Sequence, residues 1–175
     1  KFSDLSDLDV KAIEEYRVES DHSLNVLQQM WDVLVKLVMD AEKRGKSIGI
    51  YHYGTHEVSW WRRFARENED NVGVPNIEKV DAFTKRYFVN LLPIAQKIAF
   101  KSSGYSIKDL APLAGFSWRV EDPGGSLSLL KYRMATSKNS TDAEREEAQR
   151  WLRSYNADDV RATLAVRQYL RGLRF

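Results

Sequence analysis

The chain has 175 residues, of which 43% are hydrophobic and 30% are charged, and its formal net charge is only +2 at pH 7. No apolar run approaches the ~18 residues that a membrane-spanning helix needs, and the absence of cysteine excludes disulfides and thiolate metal sites. We therefore expect a cytoplasmic protein without a membrane partner. We take residues 1–175 as one domain, with a polar lead-in over 1–20 and a core over 21–175.

The first half of the chain is predicted to be mostly helical, with one clear strand. A weak helix over 7–19 precedes a strong helix over 21–43. The segment 47–53 is short, apolar and β-branched, which is typical of a buried strand. A second helix is predicted to begin near Glu57, and a further one spans 76–87.

The second half adds helices and one ambiguous segment, because 88–92 fits a short strand as well as an irregular connection. The later helices are predicted over 93–100, 106–115 and 126–135, and from 141 as a long terminal helix or helix pair. Capping-box patterns at 106–109 and 141–144 mark two of these starts. A lone strand cannot form a sheet, so either the ambiguous segment supplies another strand or part of the sheet lies outside this chain.

Asp159 lies on the apolar stripe of the predicted terminal helix. The stripe recurs at three- and four-residue steps and consists of Leu152, Tyr155, Asp159, Ala162, Val166 and Leu170. An ionised acid on a buried face costs several kcal/mol unless a metal ion, a hydrogen-bond network or a shifted pKa offsets the cost. Asp158 lies one residue off the stripe. Asp159 is therefore the first candidate site residue.

Glu57 is the second candidate acid, because it follows the predicted strand at the point where a helix begins. Ligands of open α/β folds bind beyond the carboxyl ends of strands. An alternative interpretation is an acid that the helix dipole favours in the first turn. His52 and His56 are four residues apart but straddle the strand end, which disfavours a histidine metal site. Carboxylates without thiols indicate Mg²⁺ or Mn²⁺.

Two features suggest contact with nucleic acid. Trp60 and Trp61 are adjacent, and either a base-stacking role or a split between core and surface fits them. Four arginines follow Asp159 with no acid among them: Arg161, Arg167, Arg171 and Arg174. They fit a solvated cationic helix end or contact with phosphate. We select Trp61 and Arg161 as candidate nucleic-acid contacts.

The Tyr-x-x-x-Asp pattern at 155–159 resembles the third motif of the DEDD, DnaQ-like exonucleases on the ribonuclease-H-like fold. Five ordered segments resemble the ribonuclease-H-like domain at the end of RecB-like bacterial nucleases: 51–57, 91–94, 105–118, 125–132 and 155–160. The resemblance covers about residues 22–172. It implies a helix-rich α/β fold and metal-dependent 3′–5′ hydrolysis of nucleic-acid phosphodiesters.

The same resemblance implies roles for individual residues. Glu57 would be the acid of the second motif, Asp159 the acid of the third, and Tyr155 the residue that orients or helps to deprotonate the attacking water. Glu57, Asp159 and Asp158 would be the ligands available for a site that holds two Mg²⁺ or Mn²⁺ ions. Asn90 stands where relatives tend to have aspartate.

The first motif of the family, Asp-x-Glu on an opening strand, has no counterpart in residues 1–19. We expect that strand and that half of the metal site to lie upstream. Two functions remain open: an exonuclease in the parent protein, acting on a single-stranded DNA or RNA end, and an inactive module that binds nucleic acid or a protein. A nuclease or helicase domain in the same parent protein is an expected partner.

Overall fold

The structure, a computed structural model, describes residues 23–98 and 104–173. These residues fall into two compact units, one ending at Ser106 and the other beginning at Ile107, and each is described by itself. The helix expected over 7–19 and the lead-in over 1–20 lie outside the described residues. The single-domain assignment stays a prediction. None of the helices in the described ranges has the length and apolar character to cross a membrane.

The first unit contains four helices and two strands in the described residues. In chain order they are α1 Ser23–Lys43, β1 Ile50–His52, α2 His56–Glu67, α3 Ile77–Tyr87, β2 Phe88–Asn90 and α4 Leu92–Ala95. The strands pair in parallel, with Ile50 opposite Phe88 and His52 opposite Asn90. The ambiguous segment after α3 is therefore a strand, and the strand expected over 47–53 is only three residues long.

Local signals set the element boundaries of this unit. Gly45 ends α1 with a φ of +65°, and Gly54 follows β1 with a φ of +90°, a conformation that side chains disfavour. The Asn76 side chain accepts a hydrogen bond from the backbone N–H of Lys79 and so caps α3. The core between α1, α2 and α3 is a cluster of five residues, Trp31, Trp61, Phe64, Ala65 and Val80.

In the described residues of the second unit the regular elements are helices, and the unit is built on one long helix. Its helices are α5 Ile107–Leu110, α6 Gly125–Thr136 and α7 Asp142–Gly172. α5 is shorter than expected, since Pro112 cannot continue the backbone ladder. The capping box at Thr141 and Glu144 is present, and the terminal segment is one helix rather than a pair. Both α5 and α6 pack against α7. The described chain thus has the predicted helix-rich α/β character.

Candidate active site

Asp158 and Asp159 lie in the middle of α7, and the segment 116–119 holds both of them. The backbone N–H of Arg119 donates to Asp158 Oδ2 at 2.8 Å, and its guanidinium Nε and Nη2 both lie 2.8 Å from Oδ1. Arg161 contacts the same Oδ1 at 3.4 Å. Both oxygens of Asp158 are therefore occupied by hydrogen bonds from cationic residues.

The burial of this acid pair corrects the sequence interpretation. Asp158, placed off the stripe, is only 1% exposed, whereas Asp159 is half-buried. Asp158 lies four residues before Ala162 and eight before Val166, which are both fully buried, so it shares their helix face. The apolar stripe is wide enough to include both acids, and the deeper position belongs to Asp158.

Asp158 is held as a carboxylate. Burial raises its pKa, but the hydrogen bonds and charges of Arg119, with a smaller contribution from Arg161, bring that pKa below its usual value. A buried acid with two arginine partners is a structural ion pair. Asp158 as a metal ligand stays a prediction, and its hydrogen bonds argue against that role because both oxygens already accept from Arg119.

Asp159 has neutral partners instead. The Trp118 indole Nε1–H donates to Asp159 Oδ1 at 2.8 Å, and the Tyr155 hydroxyl also hydrogen-bonds this carboxylate. Burial raises the pKa of Asp159 above its usual value, although these two hydrogen bonds and the charge of Lys108 act in the opposite direction. The two hydrogen-bond partners of Asp159, Trp118 and Tyr155, are neutral. Among the residues that act on this carboxylate, Lys108 is the one that carries a full positive charge.

Tyr155 lies one helical turn before Asp159, as its spacing predicts. Its ring stacks on Trp151 with centroids 5.0 Å apart, and Lys108 Nζ lies 5.7 Å from the ring centroid. Burial, together with the negative charge of Asp159 and the hydrogen bond to it, raises the pKa of Tyr155 to about 12. The phenol is therefore neutral at ordinary pH, so it can position a water molecule but is a weak base.

Glu57 lies in the first turn of α2, in the other unit, and its side chain is 44% exposed. His52 at the end of β1 lies beside it, with Nδ1 3.5 Å from Glu57 Oε2. His52 itself is buried, and this Nδ1 has no hydrogen-bond partner among the described residues. The two side chains therefore face one another at the carboxyl end of the strand without a close hydrogen bond.

Asn90 has a structural role beside them. Its side-chain oxygen accepts hydrogen bonds from the backbone N–H groups of Gly54 and Leu92, both at 3.0 Å. These groups belong to the segments that leave β1 and β2. An aspartate oxygen could accept the same two hydrogen bonds. Asn90 therefore keeps the link between these two segments and differs from an aspartate only in lacking the negative charge.

The described residues fit a divalent metal ion only in part. They contain no group of three or more histidine, aspartate or glutamate side chains that could hold one. Glu57 is accessible and Asp159 has no cationic hydrogen-bond partner, so each can offer an oxygen ligand. They belong to different units, and Asp158 is already bonded to arginine.

The two candidate nucleic-acid contacts have other partners. Trp61 is 5% exposed and packs against Trp31, with ring centroids 5.3 Å apart, so its ring is not available to stack on a base. This corrects the choice between the two adjacent tryptophans, because the exposed one is Trp60. Arg161 contacts Asp158, and a phosphate contact by Arg161 stays a prediction.

Sequence patterns did not single out three side chains that surround Tyr155, Asp158 and Asp159: Lys108, Trp118 and Arg119. All three lie in or directly after the segment 105–118, one of the five ordered segments that carried the resemblance. Their partners are about 40 positions away, so no periodicity in the sequence links them.

Comparison with known proteins identifies the superfamily of the chain. No curated protein and no solved structure gives a significant match to the chain. A family model described as the RNase H superfamily matches residues 5–171, which is nearly the whole sequence. The chain therefore belongs to the RNase H superfamily.

Proposed function

We propose that the parent protein of this chain hydrolyses nucleic-acid phosphodiesters as a metal-dependent 3′–5′ exonuclease of the DEDD, DnaQ-like type. Membership of the RNase H superfamily supports a nuclease or nucleic-acid-related activity. The observation that carries the finer proposal is the hydrogen-bonded pair of Tyr155 and Asp159, one turn apart on α7. Packing alone does not require a tyrosine hydroxyl and an acid to meet on a half-buried face.

In this proposal Glu57 and Asp159 are the residues of this chain that would hold Mg²⁺ or Mn²⁺. A bound divalent ion would supply positive charge against the charge that develops on the phosphodiester, and would acidify a bound water. Trp118 fixes the carboxylate of Asp159 through its indole N–H. Tyr155, neutral at ordinary pH, would orient the attacking water through its hydroxyl.

Lys108 adds a positive charge to the same group of side chains. Its ammonium lies over the Tyr155 ring and lowers the pKa of Asp159. A lysine at this position would attract a phosphate group of the substrate toward Asp159. It therefore belongs to the substrate side of the proposed site.

The second candidate function is an inactive module that binds nucleic acid or a protein partner. The absence of a three-acid group from the described residues favours this function, as does the neutralisation of Asp158 by two arginines. In that case Asp159 would be retained for its hydrogen bonds to Trp118 and Tyr155 alone.

A metal titration and a hydrolysis assay separate the two functions. We would compare residues 1–175 with a form lengthened at its amino end by upstream coding sequence that carries an Asp-x-Glu strand. We expect the 175-residue chain to bind Mn²⁺ weakly and to hydrolyse nothing at a useful rate. The lengthened form should bind Mn²⁺ and degrade a labelled single strand from its 3′ end. A lengthened form that is folded and inactive would favour the binding module.

A further inference from the structure

The two adjacent tryptophans of α2 have opposite environments. Trp61 is in the core, whereas Trp60 is 48% exposed. A large aromatic side chain contributes to folding mainly by leaving water, so Trp60 contributes little in this way. About half of Trp60 is therefore accessible to a ligand.

Trp60 belongs to a row of planar side chains on the exposed face of α2. His56, Trp60 and Arg63 follow one another at steps of four and three residues, and all three are exposed. The His56 ring lies edge-on to Trp60, with centroids 6.0 Å apart, and the Arg63 guanidinium carbon lies 5.6 Å from the Trp60 ring centroid. We call these three residues the α2 stripe.

The members of the α2 stripe share a chemical property. Imidazole, indole and guanidinium are planar groups with delocalised electrons, and each can stack on a nucleic-acid base. Arg63 is also tied to Glu67 by an ion pair of 2.7 Å, which holds the guanidinium beside the indole. The stripe is thus a surface for a flat, electron-rich ligand, and Arg63 carries its positive charge in an ion pair with Glu67.

The position of the stripe connects it to the proposed site. It starts in the first turn of α2, where Glu57 lies, just beyond the carboxyl end of β1. In open α/β folds, ligands bind beyond this end of the strands. A single strand that crossed this end would pass both the acid and the stripe.

We propose that the α2 stripe is a binding site for the unpaired bases of a single-stranded nucleic acid, with Trp60 as the stacking residue. This inference rests on the proposed function and names the surface that would hold its substrate. Single strands fit better than duplexes because their bases expose a face for stacking. Arg63 complements the phosphate charge that follows each base.

The test measures binding without hydrolysis. Fluorescence anisotropy of a short labelled single-stranded oligonucleotide would be recorded with the 175-residue chain in the presence of EDTA. Base–aromatic stacking contributes about 1–3 kcal/mol per base, so Trp60→Ala should raise Kd by roughly 5- to 150-fold. Trp60→Phe should restore most of the affinity because it keeps an aromatic face.

Tyr132→Ala is the matched control, since Tyr132 on α6 is an aromatic residue of nearly the same exposure, 47%. Its Kd should equal that of the unsubstituted chain. Circular dichroism should give the same melting temperature for Trp60→Ala, because the side chain lies outside the core. A labelled duplex should bind more weakly than the single strand.

Three results would overturn the proposal. They are an unsubstituted chain that does not bind the oligonucleotide, a Trp60→Ala chain that binds as well as the unsubstituted one, and equal losses in Trp60→Ala and Trp60→Phe. A Trp60→Ala effect on oligomeric state alone, by light scattering, would assign the stripe to contact between copies. Because EDTA removes the metal, the binding assay is independent of hydrolysis. Stacking on Trp60 can be present when the lengthened form is inactive, and it can be absent when the lengthened form is active.

Discussion

The two acids proposed as metal ligands are held very differently by the fold. Asp159 on α7 accepts hydrogen bonds from Trp118 and Tyr155, whereas Glu57 in the first turn of α2 is 44% exposed and faces His52 across 3.5 Å. Asp159 is thus held by hydrogen bonds within its own unit, and we expect it to be in position before any ligand arrives. We expect Glu57 to gain a further partner only when a ligand binds beside it.

The largest effect is expected from Asp159→Asn in the lengthened form. The change removes the negative charge but keeps the shape and one hydrogen-bond acceptor, so hydrolysis should be abolished while the chain stays folded. Hydrolysis of a labelled single strand measures the loss of activity, and the melting temperature shows whether the chain stays folded. A marked loss of thermal stability with little loss of activity would make Asp159 a structural residue.

Tyr155→Phe should have the next largest effect. A hydroxyl that positions water contributes to rate and not to metal affinity, so kcat should fall by about 10²–10³ while the Mn²⁺ titration is unchanged. The ring remains, and the stacking on Trp151 should survive. Unchanged kcat would show that Tyr155 serves packing alone.

Arg119→Met tests the structural half of the comparison. The change leaves the buried Asp158 with only Arg161 as a cationic partner. Breaking a fully buried ion pair costs about 3–5 kcal/mol in the free energy of unfolding, and we expect a smaller loss here because solvent reaches the Arg119 side chain, which is 57% exposed. Chemical denaturation provides the measurement. Glu57→Gln is the control, since an exposed side chain should change stability little.

A smaller effect is expected in the pH dependence of stability, where the adjacent acids act in opposite directions. The pKa of Asp158 is lowered on folding, so its contribution is present above about 3.9, the ordinary aspartate value, and is lost as pH falls through the folded value. The pKa of Asp159 is raised, so its contribution is present at low pH and lost as pH rises through the folded value.

Acidification from about pH 6 to about pH 3, across the ordinary aspartate pKa, should therefore destabilise Asp159→Asn more steeply than the unsubstituted chain. Asp158→Asn should be destabilised less steeply. Denaturation midpoints over this interval provide the test. Identical slopes in the two variants would contradict the opposite roles of the two acids.

The sequence predicted what local signals and periodicity determine. The capping box of Thr141 and Glu144 set the start of α7, and Gly45 and Asn76 marked other helix ends. The spacing of Tyr155 and Asp159 correctly placed both side chains together. These features depend on residues within one or two turns.

Features that depend on distant residues were not predictable. The sequence placed Asp158 off the buried stripe of the helix. Its partner Arg119 lies 39 residues away in the chain and leaves no local signal. Both Trp60 and Trp61 fitted a core position, and the packing of Trp31 on α1 against Trp61 decided between them. A carboxylate becomes a tolerable core residue only when a specific cation from elsewhere in the chain reaches it.

The central proposal is that Asp159 and Glu57 are metal ligands, whereas Asp158 anchors the segment 116–119. Calorimetric titration of Mn²⁺ into the lengthened form and its Asp159→Asn, Glu57→Gln and Asp158→Asn variants tests this division most directly. We expect Asp159→Asn and Glu57→Gln to lose the binding heat and Asp158→Asn to retain it. Loss of Mn²⁺ binding in a folded Asp158→Asn variant, with binding retained in Asp159→Asn, would contradict the account.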